Sequence, residues 1–221
     1  MTSTFLGYLA TGIALVLAIT LHEIAHGFVA WIFGDDTAKN AGRLTLNPIK
    51  HVDPFGTVIL PGLLLISSAP FLFGYAKPVP VNFNRLSAGR LGEIAVAAAG
   101  PGMNILLALI SLLLLHVNLG ANTLGNEILV KSFQFNVILA IFNMLPLLPL
   151  DGGRVLSAML PRGLRNIYDR TEPLGMMILF FCLLVLPFAL QYFGIKFNLI
   201  SSIIKPLFKI VSEFLIRISG H

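Results

Sequence analysis

Apolar and polar positions alternate along this chain in long blocks. The first apolar run covers residues 5–33 and ends at Gly34-Asp35-Asp36, which cannot continue in hydrocarbon. Further long runs cover residues 91–115, 128–148 and 173–193. Each run has the roughly 20 residues that a helix needs to cross a bilayer. The pattern predicts an all-α polytopic membrane protein with three core transmembrane helices and additional C-terminal helices within residues 173–218.

Three local features modify this picture. The second run contains Gly100-Pro101-Gly102, which predicts an interruption of its helix. The third run closes in a segment rich in proline and glycine, residues 146–153, which predicts a kinked or unwound end. Between the first two runs, the short alternating piece at residues 42–48 is typical of a small strand at the membrane surface.

Two other apolar segments are not expected to span. Residues 56–74 contain prolines, glycines and serines and lead into a turn-rich stretch, so a re-entrant hairpin is predicted at about 56–80. Residues 199–216 carry polar residues at four-residue steps along an apolar helix: Ser201, Lys205, Lys209, Glu213 and Arg217. Such a stripe favours a helix at the membrane surface. The alternative is a spanning helix whose stripe faces the bundle.

The composition agrees with a membrane protein. Hydrophobic residues make up 56% of the 221 residues, charged residues make up 11%, and the mean hydropathy is +0.87. Residues 1–221 are predicted to form a single domain with its core at 5–154, because no polar stretch is long enough for a separate domain. The net charge of +5 is spread singly through short loops, which argues against nucleic-acid binding. Cys182 is the only cysteine, so no internal disulfide or thiolate zinc site can form.

The candidate chemistry lies inside the first apolar run, at His22-Glu23-Ile24-Ala25-His26. On a helix His22 and His26 project from one face, where two imidazole nitrogens can hold one zinc ion. Glu23 borders that face and can take a proton from water at the metal. The alternative is a chance match, but an ionisable group at the centre of a spanning helix costs about 2.5–3.5 kcal/mol and usually marks function. The motif predicts a zinc hydrolase.

A catalytic zinc usually has three protein ligands and one open position. We expect Asp151 to be the third ligand, because it follows an apolar helix and precedes Gly152-Gly153, which lets backbone approach closely. The alternative for Asp151 is a helix-ending residue in a solvated turn. His51 and Asp53 are further candidate ligands, but His51 follows Lys50 in a polar loop and is predicted to be solvated. Glu93 is predicted to have a structural role at the start of its helix.

Basic residues indicate the orientation of the chain. The loops at residues 34–54, 75–90 and 150–172 each hold three or four Lys and Arg residues, whereas residues 1–21 hold none. Lys and Arg collect in cytoplasmic loops, and a re-entrant hairpin allows all three loops to lie on that side. We therefore expect a multi-pass protein of the bacterial cell membrane, with its metal site toward the cytoplasmic leaflet.

The chain resembles the site-2 protease family of intramembrane zinc metalloproteases. Three motifs carry the resemblance: His22 to His26, Gly100 to Asn104, and Asn143 through Pro146 and Pro149 to Asp151-Gly152-Gly153. The resemblance implies that His22, His26 and Asp151 bind Zn²⁺ and that Glu23 is the general base and acid. It also implies that Asn143 is a polar helper at the substrate or intermediate.

The resemblance further implies that the substrates are transmembrane segments of membrane proteins, cleaved within or near the bilayer. The hairpin at 56–80 is then a plausible surface for holding the unwound substrate strand by edge pairing. The chain looks like a compact form of the family, since it has no room for a PDZ domain between the core helices or for CBS domains at the end.

Two alternatives come from other functional classes. A membrane transporter also uses broken helices and buried polar groups, but it has no need of Glu23 as a base, and no inverted repeat is evident. A catalytically inactive membrane scaffold would ordinarily have lost Glu23 or one of the ligands, and all four residues are present.

Overall fold

The computed structural model describes residues 2–66, 74–117, 123–194 and 200–220. Within these residues the fold is all-helical, as predicted, and contains no strand. The α-helices, in chain order, are α1 Thr2–Ile32, α2 Thr37–Asn40, α3 Leu60–Ile66, α4 Arg90–His116, α5 Thr123–Asn143, α6 Asp151–Met159, α7 Arg162–Asp169, α8 Glu172–Phe180, α9 Leu186–Tyr192 and α10 Lys205–Ile218. Short π-helices lie at Pro54–Ile59, Phe181–Val185 and Ile200–Ile204, and 3₁₀ turns lie at Pro48–His51 and Phe83–Arg85.

Three of these helices form the core of the molecule. α1, α4 and α5 pack against one another, and α6 packs against α4. Their segments Phe5–Ile32, Arg90–His116 and Leu124–Asn143 are long and apolar enough to cross a membrane. The three predicted core helices are therefore confirmed, although α5 begins and ends about one turn earlier than predicted. Pro146 explains the earlier end, because a helix usually stops before a proline that can neither donate nor fit against the preceding turn.

The predicted interruption at Gly100-Pro101-Gly102 is wrong. α4 continues through this segment, with Pro101 buried inside the helix. A proline removes one backbone hydrogen bond, and helices of a membrane bundle tolerate this where a neighbouring helix packs against the site. α1 is that neighbour here.

Two predictions for the loop after α1 are also wrong. Residues 42–47 form turns and bends, not a strand, because Pro48 starts a 3₁₀ turn that the Asn47 side chain caps by accepting from the Ile49 amide at 3.1 Å. His51 is not solvated but only 3% exposed. Its Nε2 bonds to the Thr45 carbonyl at 3.0 Å, so the loop folds over the ring.

The two arms of the predicted hairpin meet at its base. The Tyr75 amide donates to the Gly56 carbonyl at 3.0 Å, and the Lys77 amide donates to the His51 carbonyl at 2.9 Å. Residues 67–73, at the apex, lie outside the described residues. The chain thus returns to the point where the hairpin began, and its entry into the membrane stays a prediction.

The three basic loops lie at one end of the bundle, as the orientation argument requires. Arg85 pairs with Asp36 at 2.7 Å, and Arg90 donates to the Leu160 carbonyl at 3.0 Å. Glu93, in the first turn of α4, pairs with Arg165 of α7 at 2.6 Å, which matches the structural role predicted for it.

Asp35 ties the end of α1 to the segment before α4. Its side chain is fully buried and accepts from the Thr37 amide at 3.1 Å, from the Thr37 hydroxyl, and from the Asn82 amide at 2.6 Å. Burial by itself raises the pKa of Asp35, but these hydrogen bonds outweigh it and hold the pKa below its ordinary value.

The C-terminal helix α10 packs against α4 and α5 through Phe208 and Leu215, and Ile204, just before it, packs in the same cluster. Its charged stripe points away from the bundle, since the Lys209 and Glu213 side chains are 78% and 65% exposed. The alternative with the stripe against the bundle is therefore wrong. The apolar residues Ile210 and Phe214 are exposed as well, so α10 presents one charged and one apolar outer face.

Candidate metal centre

His22, His26 and Asp151 converge between α1 and α6. The two histidines lie one turn apart on α1, and Asp151 is the first residue of α6. The two Nε2 atoms are 3.1 Å apart, His22 Nε2 is 3.3 Å from Asp151 Oδ2, and His26 Nε2 is 3.3 Å from Asp151 Oδ1. Among the described residues, this is the only group of three such side chains close enough to hold a metal.

The loop between α5 and α6 brings Asp151 next to the two histidines. A Cβ on Gly152 would lie 2.2 Å from the Met144 carbonyl oxygen, and one on Gly153 would lie 2.5 Å from the Leu147 carbonyl carbon. Both glycines are buried. The backbone of the loop thus packs directly on both glycines, and this tight fold brings the start of α6 to α1.

The donor set fits a zinc ion by three observations. Ligand atoms at about 2.0–2.1 Å from a tetrahedral zinc lie about 3.3 Å from one another, close to the separations found here. Asp151 Oδ2 is buried without a hydrogen-bond partner, as expected of an atom reserved for a cation. Finally, a Cβ on Gly100 of α4 would lie 2.3 Å from His26 Nε2 and 2.6 Å from His22 Nε2, so the missing side chain leaves the space into which the nitrogens point.

The other ring nitrogen of each histidine is bonded to α4. His26 Nδ1 lies 2.7 Å from the Val96 carbonyl oxygen, and His22 Nδ1 lies 2.6 Å from Asn104 Oδ1. A carbonyl can only accept, so His26 carries a proton on Nδ1, and as a neutral imidazole it has its lone pair on Nε2, the nitrogen that faces Asp151. Metal-binding histidines commonly make this kind of outer contact.

Glu23 lies beside the metal ligands on the wall of one cavity. Its Oε2 accepts a hydrogen bond from the Val79 amide at 2.8 Å, which fixes the carboxylate against the second arm of the hairpin. The cavity measures about 480 Å³ and is lined by the three ligands, Glu23 and residues of the hairpin arm. A carboxylate and a group of three side chains that could hold a metal therefore line one cavity, the arrangement that water activation requires.

Asn143, the last residue of α5, lines the same cavity. Its Nδ2 donates to the Leu139 carbonyl at 3.0 Å, one turn earlier in the helix. His51, the weighed alternative ligand, is not part of this group and lies bonded within its own loop.

Sequence reasoning missed four contributors: Val79, Val96, Asn104 and Asn136. Val79 and Val96 act through backbone atoms, which cannot be recognised from the residue type. Asn104 and Asn136 did carry a signal, because a primary amide in an apolar spanning helix is costly and needs an explanation. They are 0% and 1% exposed, and Asn104 Nδ2 donates to Asn136 Oδ1 at 2.8 Å.

Comparisons with known proteins find one matching family model and several similar proteins. The model described as Peptidase family M50 matches residues 121–186, a segment that contains Asn143 and Asp151. The protein named "Putative zinc metalloprotease YwhC" of Bacillus subtilis (strain 168) is 43% identical over 183 residues, which cover 79% of this chain and 80% of that protein.

Two mycobacterial proteins are more distant. The protein named "Putative zinc metalloprotease Rip2" of Mycolicibacterium smegmatis is 30% identical over 141 residues, which cover 62% of this chain and 52% of that protein. Its namesake in Mycobacterium tuberculosis (strain ATCC 25618 / H37Rv) is 31% identical over 140 residues, with coverage of 62% and 52%. No solved structure shows significant similarity to the chain.

Proposed function

Because the chain belongs to peptidase family M50, the site-2 protease family, we propose that it is an intramembrane zinc metalloprotease with His22, His26 and Asp151 as its zinc ligands. The observation that carries the proposal is the convergence of these three side chains beside Glu23 in one cavity. The two histidines and Glu23 lie on the core helix α1, and Asp151 begins α6, which packs against the core helix α4, so the packing of the bundle positions the site.

The reaction is hydrolysis of a peptide bond in a membrane-protein substrate. When bound, zinc polarises the scissile carbonyl as a Lewis acid and acidifies the attacking water. Glu23 takes a proton from that water as the C–O bond forms. It then delivers a proton to the leaving nitrogen as the C–N bond breaks, so the carboxylate is regenerated.

The Val79 amide supports this role of Glu23. It donates to one carboxylate oxygen, Oε2, and so leaves the other, Oε1, for the water. Asn143 is the proposed polar helper, because its amide lies on the wall of the same cavity and can bond to the substrate or intermediate.

The hairpin arm is the proposed surface for the substrate. A helical substrate must unwind near the cut, because its carbonyls are occupied by internal hydrogen bonds. The amides of Tyr75, Lys77 and Val79 all bond inward, to Gly56, His51 and Glu23. In extended backbone, alternate residues point their amides to opposite sides. The amide of Ala76 therefore points away from these three contacts.

Edge pairing can be tested at Ala76, which lines the cavity. Proline at this position removes the outward amide, whereas valine keeps it. We expect Ala76→Pro to raise KM for a single-span substrate and Ala76→Val to leave it nearly unchanged. Equal KM values for the two variants would contradict pairing at this edge.

We also propose that the site faces the cytoplasmic leaflet, because the three basic loops gather at the end of the bundle where α6 begins. Accessibility of single cysteines to an impermeant thiol reagent, in a Cys182→Ala background, tests this in intact cells. A cysteine at exposed Arg162 should be protected until the membrane is opened. Labelling of intact cells would reverse the assignment.

The decisive experiment measures cleavage of a model single-span substrate by purified protein in detergent, with bound zinc quantified in parallel. Glu23→Gln should retain zinc and lose cleavage, while Glu213→Gln, at an exposed carboxylate on α10, should keep both. Cleavage that survives Glu23→Gln, or wild-type protein without zinc, would return the transporter and scaffold alternatives to consideration.

A further inference from the structure

A ligand histidine must present a lone pair on the nitrogen that faces the metal. Neutral imidazole carries one proton, on Nδ1 or on Nε2, and the contact made by the other nitrogen decides which. For His22 that contact is Asn104 at 2.6 Å. A primary amide can present either its oxygen or its nitrogen, so the tautomer of His22 depends on which way the Asn104 amide is turned.

Two backbone carbonyls determine how the amides are turned. Asn104 Nδ2 lies 3.3 Å from the Ala18 carbonyl oxygen, and Asn136 Nδ2 lies 2.8 Å from the Ser132 carbonyl oxygen. Because a carbonyl oxygen can only accept, the atom facing it must be the NH₂ group in each case. The Asn136 oxygen then accepts the second N–H of Asn104, at 2.8 Å.

The proton on His22 follows from this network. With its NH₂ group committed to Ala18 and Asn136, Asn104 turns its oxygen to His22, and that oxygen can only accept. His22 therefore carries a proton on Nδ1, and as a neutral imidazole it leaves Nε2 as a lone pair for the metal. The unpartnered Asp151 Oδ2, 3.3 Å from this nitrogen, agrees with two acceptors that face one another across a cation.

We propose that Asn104, locked by Ala18 and Asn136, is a positioning residue that holds His22 in the Nδ1–H tautomer and thereby sets the affinity for Zn²⁺. The proposal rests on the zinc site proposed above. It explains why two amides are buried at 0% and 1% exposure in apolar helices, where an unbonded amide is costly. The network spans α1, α4 and α5, so the tautomer is set by the packing of the whole core.

The test is a competition titration of metal-free protein in detergent with Zn²⁺. Asn104→Leu keeps the size of the side chain but removes the acceptor, and it should weaken Zn²⁺ binding about 10–100-fold, the usual effect of losing an outer contact of a metal ligand. Asn104→Asp keeps an acceptor oxygen and should bind Zn²⁺ clearly more tightly than Asn104→Leu. A purely structural role predicts the opposite order, because a carboxylate is harder to bury than leucine.

Ser111→Ala is the matched control. Its hydroxyl bonds to the Ser132 hydroxyl at 2.9 Å, at the far end of the network, and it is equally buried in α4. Its loss leaves both backbone carbonyl contacts in place, so affinity for Zn²⁺ should match wild type. Wild-type affinity in Asn104→Leu, or an equal loss in Asn104→Asp and Asn104→Leu, would overturn the proposal.

The imidazole ¹⁵N shifts of metal-free wild-type protein give a second, independent readout, which needs no variant to fold. They should show a proton on His22 Nδ1, and a His22 whose only proton is on Nε2 would overturn the proposal. The variant His22→Ala distinguishes failure of the zinc ligand set from failure of the role proposed for Asn104. If it binds Zn²⁺ like wild type, the ligand set fails and this proposal fails with it. If it loses Zn²⁺ while Asn104→Leu does not, only the role of Asn104 fails.

Discussion

At Gly100, a single added methyl group should impair metal binding without impairing folding. The substitution Gly100→Ala places a Cβ 2.3 Å from His26 Nε2, 2.5 Å from His22 Cε1 and 2.6 Å from His22 Nε2. Non-bonded heavy atoms of this kind are comfortable at about 3.5 Å. Each imidazole must therefore retreat by about 1 Å before the methyl group fits.

This displacement of the rings should leave the fold intact but disrupt the metal site. The clashing atoms are the far ends of two side chains, so α1 and α4 can keep their positions. The rings, however, are held on their other side by Val96 at 2.7 Å and by Asn104 at 2.6 Å, and those bonds must break. Functional constellations tolerate displacements of about 0.5 Å. We expect Zn²⁺ affinity to fall at least about 100-fold, which corresponds to about 2.7 kcal/mol.

Gly102→Ala is the control, because a Cβ there meets nothing within 4 Å and it lies on the same helix. Either substitution improves helix propensity by up to about 1 kcal/mol, so neither should unfold the protein. The assay combines Zn²⁺ competition titration with the thermal midpoint of the metal-free protein. Gly100→Ala should match Gly102→Ala in midpoint and differ from it in affinity. Similar Zn²⁺ affinities in the two variants would refute the placement of the metal beside Gly100.

Three further predictions concern other parts of the molecule. Val79→Pro removes the amide that holds Glu23 and should lower kcat with little change in KM, while Val79→Ala keeps both; equal kcat values would contradict the role of the amide. Asp35→Asn should cost about 2 kcal/mol at neutral pH, since it loses charge-assisted bonds. Because the folded pKa of Asp35 is lowered, that difference should shrink as pH falls below about 4, toward the folded pKa, and a pH-independent gap in thermal midpoint would contradict this. Gly175→Ala brings a Cβ within 1.6 Å of a backbone carbonyl and should destabilise the fold by about 3 kcal/mol or more, whereas Gly163→Ala, in open space, should not; matching midpoints would contradict the packing.

Part of the candidate site could be predicted because its geometry is local. His22 and His26 face one way on any helix, and four residues of spacing suffice to say so. The apolar run around them is long enough to span, and α1 confirms that prediction. Glu23 follows from the same local spacing. Asp151 is expected as the third ligand from its place between an apolar helix and Gly152-Gly153, and the family resemblance implies the same. The fold brings it to within 3.3 Å of both imidazoles.

The errors arose where a tertiary contact overrides a local preference. Pro101 is a helix breaker by itself, but α4 continues through it because α1 packs there. His51 follows a lysine in a polar stretch, yet it is buried because the loop closes over it and its carbonyl binds the Lys77 amide. In both cases the neighbours that decide the outcome are distant in sequence.

Hydrophobic length and helical periodicity depend only on nearby residues, so the membrane class, the three core helices and the histidine pair follow from the chain alone. The atoms that surround the histidine pair depend instead on how the helices pack. The Val96 carbonyl and the Val79 amide are backbone groups that nearly every residue type supplies, so the identity of the residue does not reveal them. Asn104 lies 82 positions from His22, and their contact exists only because α1 and α4 pack in one register. The candidate metal ligands could therefore be predicted from the chain, whereas the contacts that position them depend on the packing of the bundle.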